Sequence, residues 1–152
     1  MKKFLSIFLF FLSAMLIACS DDSSSATESF PENAHYDVVF GQQLHIFSKD
    51  STRSAIAAVK LTLDFKPDNT VHMIIRAANK VMEDNYTYIY EYTDGAADVY
   101  TITMQKETMM FFPNRPECSG PVAIDISNES VIVLATNTKD TERMLSIYQN
   151  SL

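Results

Sequence analysis

The sequence predicts a mostly β domain built as an antiparallel meander, and three observations carry that expectation. From about residue 35 onward, apolar and polar residues alternate with a period of two, the spacing of a strand with one buried face. Clusters of Pro, Asp, Asn, Ser and Gly break the alternation into short runs, roughly 10–15 residues apart, as in a sandwich or barrel. The composition agrees: seven Tyr with frequent Val, Ile and Thr suit a pleated, half-buried surface. The 152 residues allow one domain.

The elements begin with a segment of another kind. Lys2-Lys3 is a positive start, and Phe4 to Ala18 is an almost wholly apolar run. That run is shorter than the ~20 residues a membrane-spanning helix needs, and it has the build of a signal peptide. It ends in Leu16-Ile17-Ala18-Cys19, which resembles the lipobox of bacterial lipoproteins. The resemblance covers about the first 25 residues and implies a defined chemistry. A diacylglyceryl group is attached to the Cys19 sulfur, and the Ala18–Cys19 bond is then cut. A thiolate is the natural nucleophile for alkylation, and a small residue at Ala18 suits a tight peptidase pocket. Two or three acyl chains then anchor the protein stably, at about 0.8 kcal/mol per buried CH₂.

Ser20-Asp21-Asp22-Ser23-Ser24-Ser25-Ala26-Thr27 follows. Such residues bury too little surface to fold, so residues 19–30 are expected to be a flexible tether. Ser20, directly after the lipid cysteine, resembles the outer-membrane sorting pattern of Gram-negative lipoproteins. The Asp21-Asp22 pair is similar to tags that carry some lipoproteins to the cell surface. The expected division is therefore a signal peptide at 1–18, a lipid-anchored tether at 19–30 and a single β domain at 31–152. With Lys2 and Lys3 removed, 10 basic and 19 acidic residues remain, a net charge of −9. That balance repels phosphate backbones and argues against nucleic-acid binding.

Within the domain, Leu61, Leu63 and Phe65 alternate with Thr62, Asp64 and Lys66. Pro67-Asp68-Asn69-Thr70 is a turn in which Asp or Asn can adopt positive φ. Val71, Met73 and Ile75 resume the alternation against His72, Ile74 and Arg76, completing a hairpin. Ala77–Asp84 reads equally as a short helix or a wide hairpin loop. Tyr86, Tyr88, Tyr90 and Tyr92 form a stripe on the next strand, and Asp94-Gly95 opens a turn before Tyr100, Ile102 and Met104. A third hairpin joins residues 122–126 to 131–135 through Ser127-Asn128-Glu129-Ser130. Met144 to Tyr148 would supply a closing strand.

The run Phe65-Lys66-Pro67-Asp68-Asn69-Thr70-Val71, followed by a tyrosine-rich strand and another hairpin, resembles small lipocalin-like domains of bacterial lipoproteins. The likeness spans roughly residues 56–105, with Asn69 where that family usually has Gly. It implies an up-and-down barrel or half-barrel, with or without a central calyx.

Chemistry-bearing patterns are sparse. His35, His45 and His72 lack metal-ligand spacing, and His72 is expected to face solvent. Gly41, Gly95 and Gly120 are the only glycines, too few for a phosphate-cradling loop. Cys118 sits in the loop Pro113–Pro121 with Arg115 near it, no local histidine, and Glu117 opposing thiolate formation. Its alternatives are an idle thiol, an intermolecular disulfide or, most remotely, a nucleophile. Glu83-Asp84 has no spacing that separates a glycosidase pair from solvated charges. The tyrosine stripe is either barrel core or a ligand-contacting wall.

The sequence thus points to a lipid-anchored, non-catalytic envelope protein with no cofactor or metal. Its partners would be the membrane, through the lipid on Cys19, and either a small apolar ligand or another envelope protein. A hydrolase is the distant alternative.

Overall fold

The computed structural model describes residues 33–41, 43–48, 51–56, 58–92 and 97–151. The expected signal peptide, Cys19, the expected tether and the turn expected at Asp94-Gly95 lie outside the described residues. Among the described residues ten strands and one helix follow in order: β1 His35–Phe40, β2 Gln43–Ser48, β3 Ser51–Ile56, β4 Val59–Phe65, β5 Thr70–Ala77, β6 Lys80–Glu91, β7 Val99–Thr103, β8 Glu107–Phe112, β9 Val122–Ser127, β10 Ser130–Ala135 and α1 Thr138–Ser151. All strand pairs are antiparallel, in the order β1-β4-β5-β6-β7-β8-β9-β10-β2-β3.

The central seven strands are the expected meander, curled into a half-barrel. The curl is visible in one contact. Tyr36 of β1 meets the ring of Phe111 of β8 at 5.0 Å although four strands lie between theirs. Two residues, Gly41 and Gln42, link β1 at one end of the strand order to β2, which pairs with β10. The Gly41 N–H donates to the Ala135 carbonyl at 2.7 Å. A Cβ on Gly41 would meet the Thr136 carbonyl oxygen at 2.9 Å, so this crossing requires glycine.

The hairpin between β4 and β5 forms as expected. The Lys66 N–H donates to the Thr70 carbonyl at 2.8 Å, and the Asp68 carboxylate accepts from the Thr70 N–H at 3.0 Å. Asn69 takes φ 61°, supplying the left-handed residue that a three-residue hairpin loop needs. Ala77–Asp84 is neither helix nor wide loop. Ala78 and Asn79 make a two-residue turn, Ala77 pairs with Lys80, and β6 runs on for 12 residues.

The closing strand expected over Met144–Tyr148 is instead part of α1. Met144, Ile147 and Tyr148 recur at helical spacing and pack against Val122, Ile124, Val131 and Val133 on the outer face of the sheet. Asn137 caps the helix. Its Oδ1 accepts from the Asp140 N–H at 2.9 Å, and its Nδ2 donates back to Asp140 Oδ2 at 2.8 Å. This reciprocal cap satisfies donors that would otherwise be orphaned. The same Asp140 oxygen accepts from the backbone N–H and hydroxyl of Ser119, tying the loop between β8 and β9 to the helix. No helix among the described residues is long and apolar enough to cross a membrane.

Candidate functional site

The inner face of the half-barrel divides into a closed end and a mouth. The closed end carries the turn between β4 and β5, the connections β6 to β7 and β8 to β9, and the start of α1. The mouth carries the turns between β5 and β6, β7 and β8, and β9 and β10.

Toward the closed end the tyrosine stripe is core. Leu61, Leu63, Phe65, Val71 and Met73 are buried around it, with Ile75 packed against them, as the strand periodicity predicts. Phe65 stacks on Tyr100 at 3.9 Å, Tyr88 meets Phe65 edge-on at 4.8 Å, and Tyr90 lies 4.9 Å from Tyr100. The hydroxyls are tied down: Tyr88 donates to the Lys66 carbonyl at 2.8 Å and Tyr90 to the Asp98 carboxylate at 3.2 Å. Burial, then a hydrogen bond with Tyr36, pushes the Tyr100 phenol far above its ordinary range, and burial also raises Tyr88. These rings are neutral, and they fill the space between the strands. Tyr92 departs from the expected stripe. It lies one residue past β6 and is 45% exposed, so the stripe on this face is Tyr86, Tyr88 and Tyr90.

At the mouth the same face changes character. Tyr86 borders a groove of about 270 Å³ with Met82, Asp84, Met104, Lys106 and Glu107. A second groove, of about 330 Å³, lies between Lys106-Glu107 and Ser127–Glu129. Burial, then the charges of Asp84 and Glu107, raises the Tyr86 phenol. Asp125 lies between Met109 of β8 and Ile132 of β10. Its Oδ1 is buried without a hydrogen-bond partner. Burial, then the Glu107 carboxylate, pushes its carboxyl up to about 6. An uncompensated interior carboxylate resists ionisation in this way.

Asp125 was legible in principle. Ala123 and Asp125 share the parity of the interior face, whereas Val122, Ile124 and Ile126 point outward toward the helix side. Glu107, its neighbour in charge, opens a strand that the sequence reading did not delimit.

The remaining candidates stay apart. His35 pairs with Asp64 across β1 and β4. His72 faces Glu83 at 3.3 Å on the outer surface, on the side the alternation predicts. His45 is buried beside Phe47. Among the described residues no three His, Cys, Asp or Glu side chains are grouped to hold a metal ion. Cys118 is half-buried in its loop, and burial followed by the Asp140 charge raises its thiol, so the nucleophilic thiolate is disfavoured.

No family model, no curated protein and no solved structure matches the chain.

Proposed function

We propose that this chain is a lipid-anchored protein of the bacterial outer membrane whose β domain is non-catalytic and acts through its surface. The anchor rests on the sequence Leu16-Ile17-Ala18-Cys19 with the Ser/Asp run after it. The surface reading is carried by one observation, the stack of Phe65 on Tyr100 with Tyr88 and Tyr90 around it. Rings at van der Waals distance leave no room between them for an apolar ligand. A lipid-tethered domain with a filled interior meets its partner from outside.

A second reading, a binding module for a small apolar molecule or a peptide, is favoured by the groove beside Tyr86.

Two measurements test the proposal. Labelled fatty acid should enter the wild-type chain and not Cys19→Ser; equal incorporation sinks the anchor. An environment-sensitive apolar dye should gain little fluorescence with the folded protein. Tight dye binding that is lost in Tyr88→Ala would return the domain to the ligand-binding class.

A further inference from the structure

Strand β6 is longer than the strand on one side of it. Residues 80–87 pair with β5, but β7 pairs only with residues 87–91. Among the described residues no strand pairs with the β7-side edge of residues 80–86. The Tyr88 N–H donates toward β5, to the Asn69 carbonyl. In an antiparallel ladder such bonds alternate, so Val81, Glu83 and Asn85 direct their backbone groups to the free edge. The Asn85 N–H is taken by the Asp84 carboxylate at 2.8 Å. Val81 and Glu83 have no such cover at their N–H groups among the described residues.

The side chains along this edge are informative. Val81 is 61% exposed on the outer face and Met82 54% exposed on the inner face. Beside them the groove brings Asp84 and Glu107 to one side, with Glu83 and Glu129 near the mouth; Lys80 and Lys106 stand in opposition, and Arg76 lies across from Val81 on the outer face. An unpaired edge offers a template for an added strand, and an acidic border selects what is added. Two occupants fit poorly. A second copy would bring the same acidic edge on a chain whose mature net charge is −9. The chain's own residues 20–32 carry Asp21, Asp22, Glu28 and Glu32 and no Lys or Arg.

We propose that the free edge of β6, from Lys80 to Tyr86, docks an extended, basic segment of a partner protein by strand addition. Backbone groups of Val81 and Glu83 pair with the incoming strand. Its basic side chains lie on the inner face against Asp84 and Glu107, and its alternate apolar side chains rest beside Val81 on the outer face. This deepens the surface reading above and rests on it.

The test uses the full chain in zwitterionic detergent and two labelled, end-blocked peptides, one alternating Val and Lys, the other Val and Glu. The Val-Lys peptide should bind, with shifts confined to residues 80–86 and 104–107, and the Val-Glu peptide should not. Val81→Pro removes an edge N–H that β5 does not use, so the fold tolerates it. It should keep the wild-type melt and weaken binding about tenfold. Glu107→Gln should weaken binding roughly two- to fivefold at low salt.

No Val-Lys binding, or equal binding by Val81→Pro, overturns the docking edge while leaving a surface role elsewhere intact. Peptide binding that appears only after residues 20–32 are deleted makes the chain's own tether the occupant and overturns the proposal. A dimer that Val81→Pro dissociates makes a second copy the occupant and overturns it too. Tight apolar-dye binding lost in Tyr88→Ala is the separate result that removes the surface reading itself.

Discussion

Strand β6 is two structures in one chain segment. From Thr87 to Glu91 it pairs with β7, and Thr87 alone pairs with β5 as well; Tyr88 is buried in a ring cluster, its hydroxyl and that of Tyr90 hydrogen-bonded at the rim. From Lys80 to Asn85 it pairs on one edge only, and every side chain is exposed. Secondary structure is the same in both halves; what differs is the partner strand and whether the inner-face side chains pack into the core. Alternation assigns the tyrosine half alone to a strand, since Ala77–Asp84 reads equally as a short helix or a wide loop, and contact with Phe65 and Tyr100 makes the tyrosine half core.

The largest test of this contrast is truncation at the closed end. Tyr88→Ala and Tyr100→Ala should each cost about 3–5 kcal/mol in denaturant melts, the range for aromatic truncation in a filled core. A loss below about 1 kcal/mol for both would mean that the rings line open space. Gly41→Ala comes next. Its Cβ would press on the Thr136 carbonyl where the chain passes from β1 to β2. A cost of about 1–3 kcal/mol is expected, as for other overpacked sites, and a neutral result would show that the crossing is loose.

The mouth should respond with the opposite sign. Asp125 has a folded-state pKa of about 6, above the model-compound value of 3.8. The folded state therefore holds its proton where the unfolded chain has already released it. Stability contributed by this group is full below the unfolded pKa and is lost as pH rises from about 4 to about 6. Solvent near the mouth screens part of the effect. Asp125→Asn should accordingly stabilise the protein by about 1–2 kcal/mol at pH 7.5 and have little effect at pH 3.5. Equal effects at both pH values would remove the electrostatic account of this residue. Smallest of all is Met82→Ala, expected to change the melt by no more than about 0.5 kcal/mol because the side chain packs little. A loss comparable to Tyr88→Ala would dissolve the distinction between the two halves of β6.

Much of this was legible in the residues themselves. The interior set Leu61, Leu63, Phe65, Val71 and Met73 followed from period-two alternation, and Asn69 from the demand of its turn for positive φ. Long-range facts were not. That β1 and β2 sit at opposite ends of the meander depends on the curl and on close approach at Gly41, neither of which is a local pattern.

The helix was misread for a different reason. Carrying the strand pattern onward makes Met144–Tyr148 the barrel's last strand, while the local signals are helical: Asn137 three residues before Asp140, then Met144, Ile147 and Tyr148. The mouth combined both difficulties. Asp125 sits at interior parity in an otherwise apolar strand, a signal within reach. Its closeness in charge to Glu107 needed the pairing of β8 with β9.

The account turns on the β7-side edge of β6 being paired from Thr87 onward and unpaired before it, and residue-resolved amide hydrogen exchange reads that change directly. Thr87 and Ile89 face β7, and their amides should be strongly protected. Val81 and Glu83 face the free edge and should exchange at close to the unprotected rate, although they belong to the same strand. Protection at Val81 and Glu83 equal to that at Ile89 would contradict the account, because those amides would then have partners that the free edge does not supply.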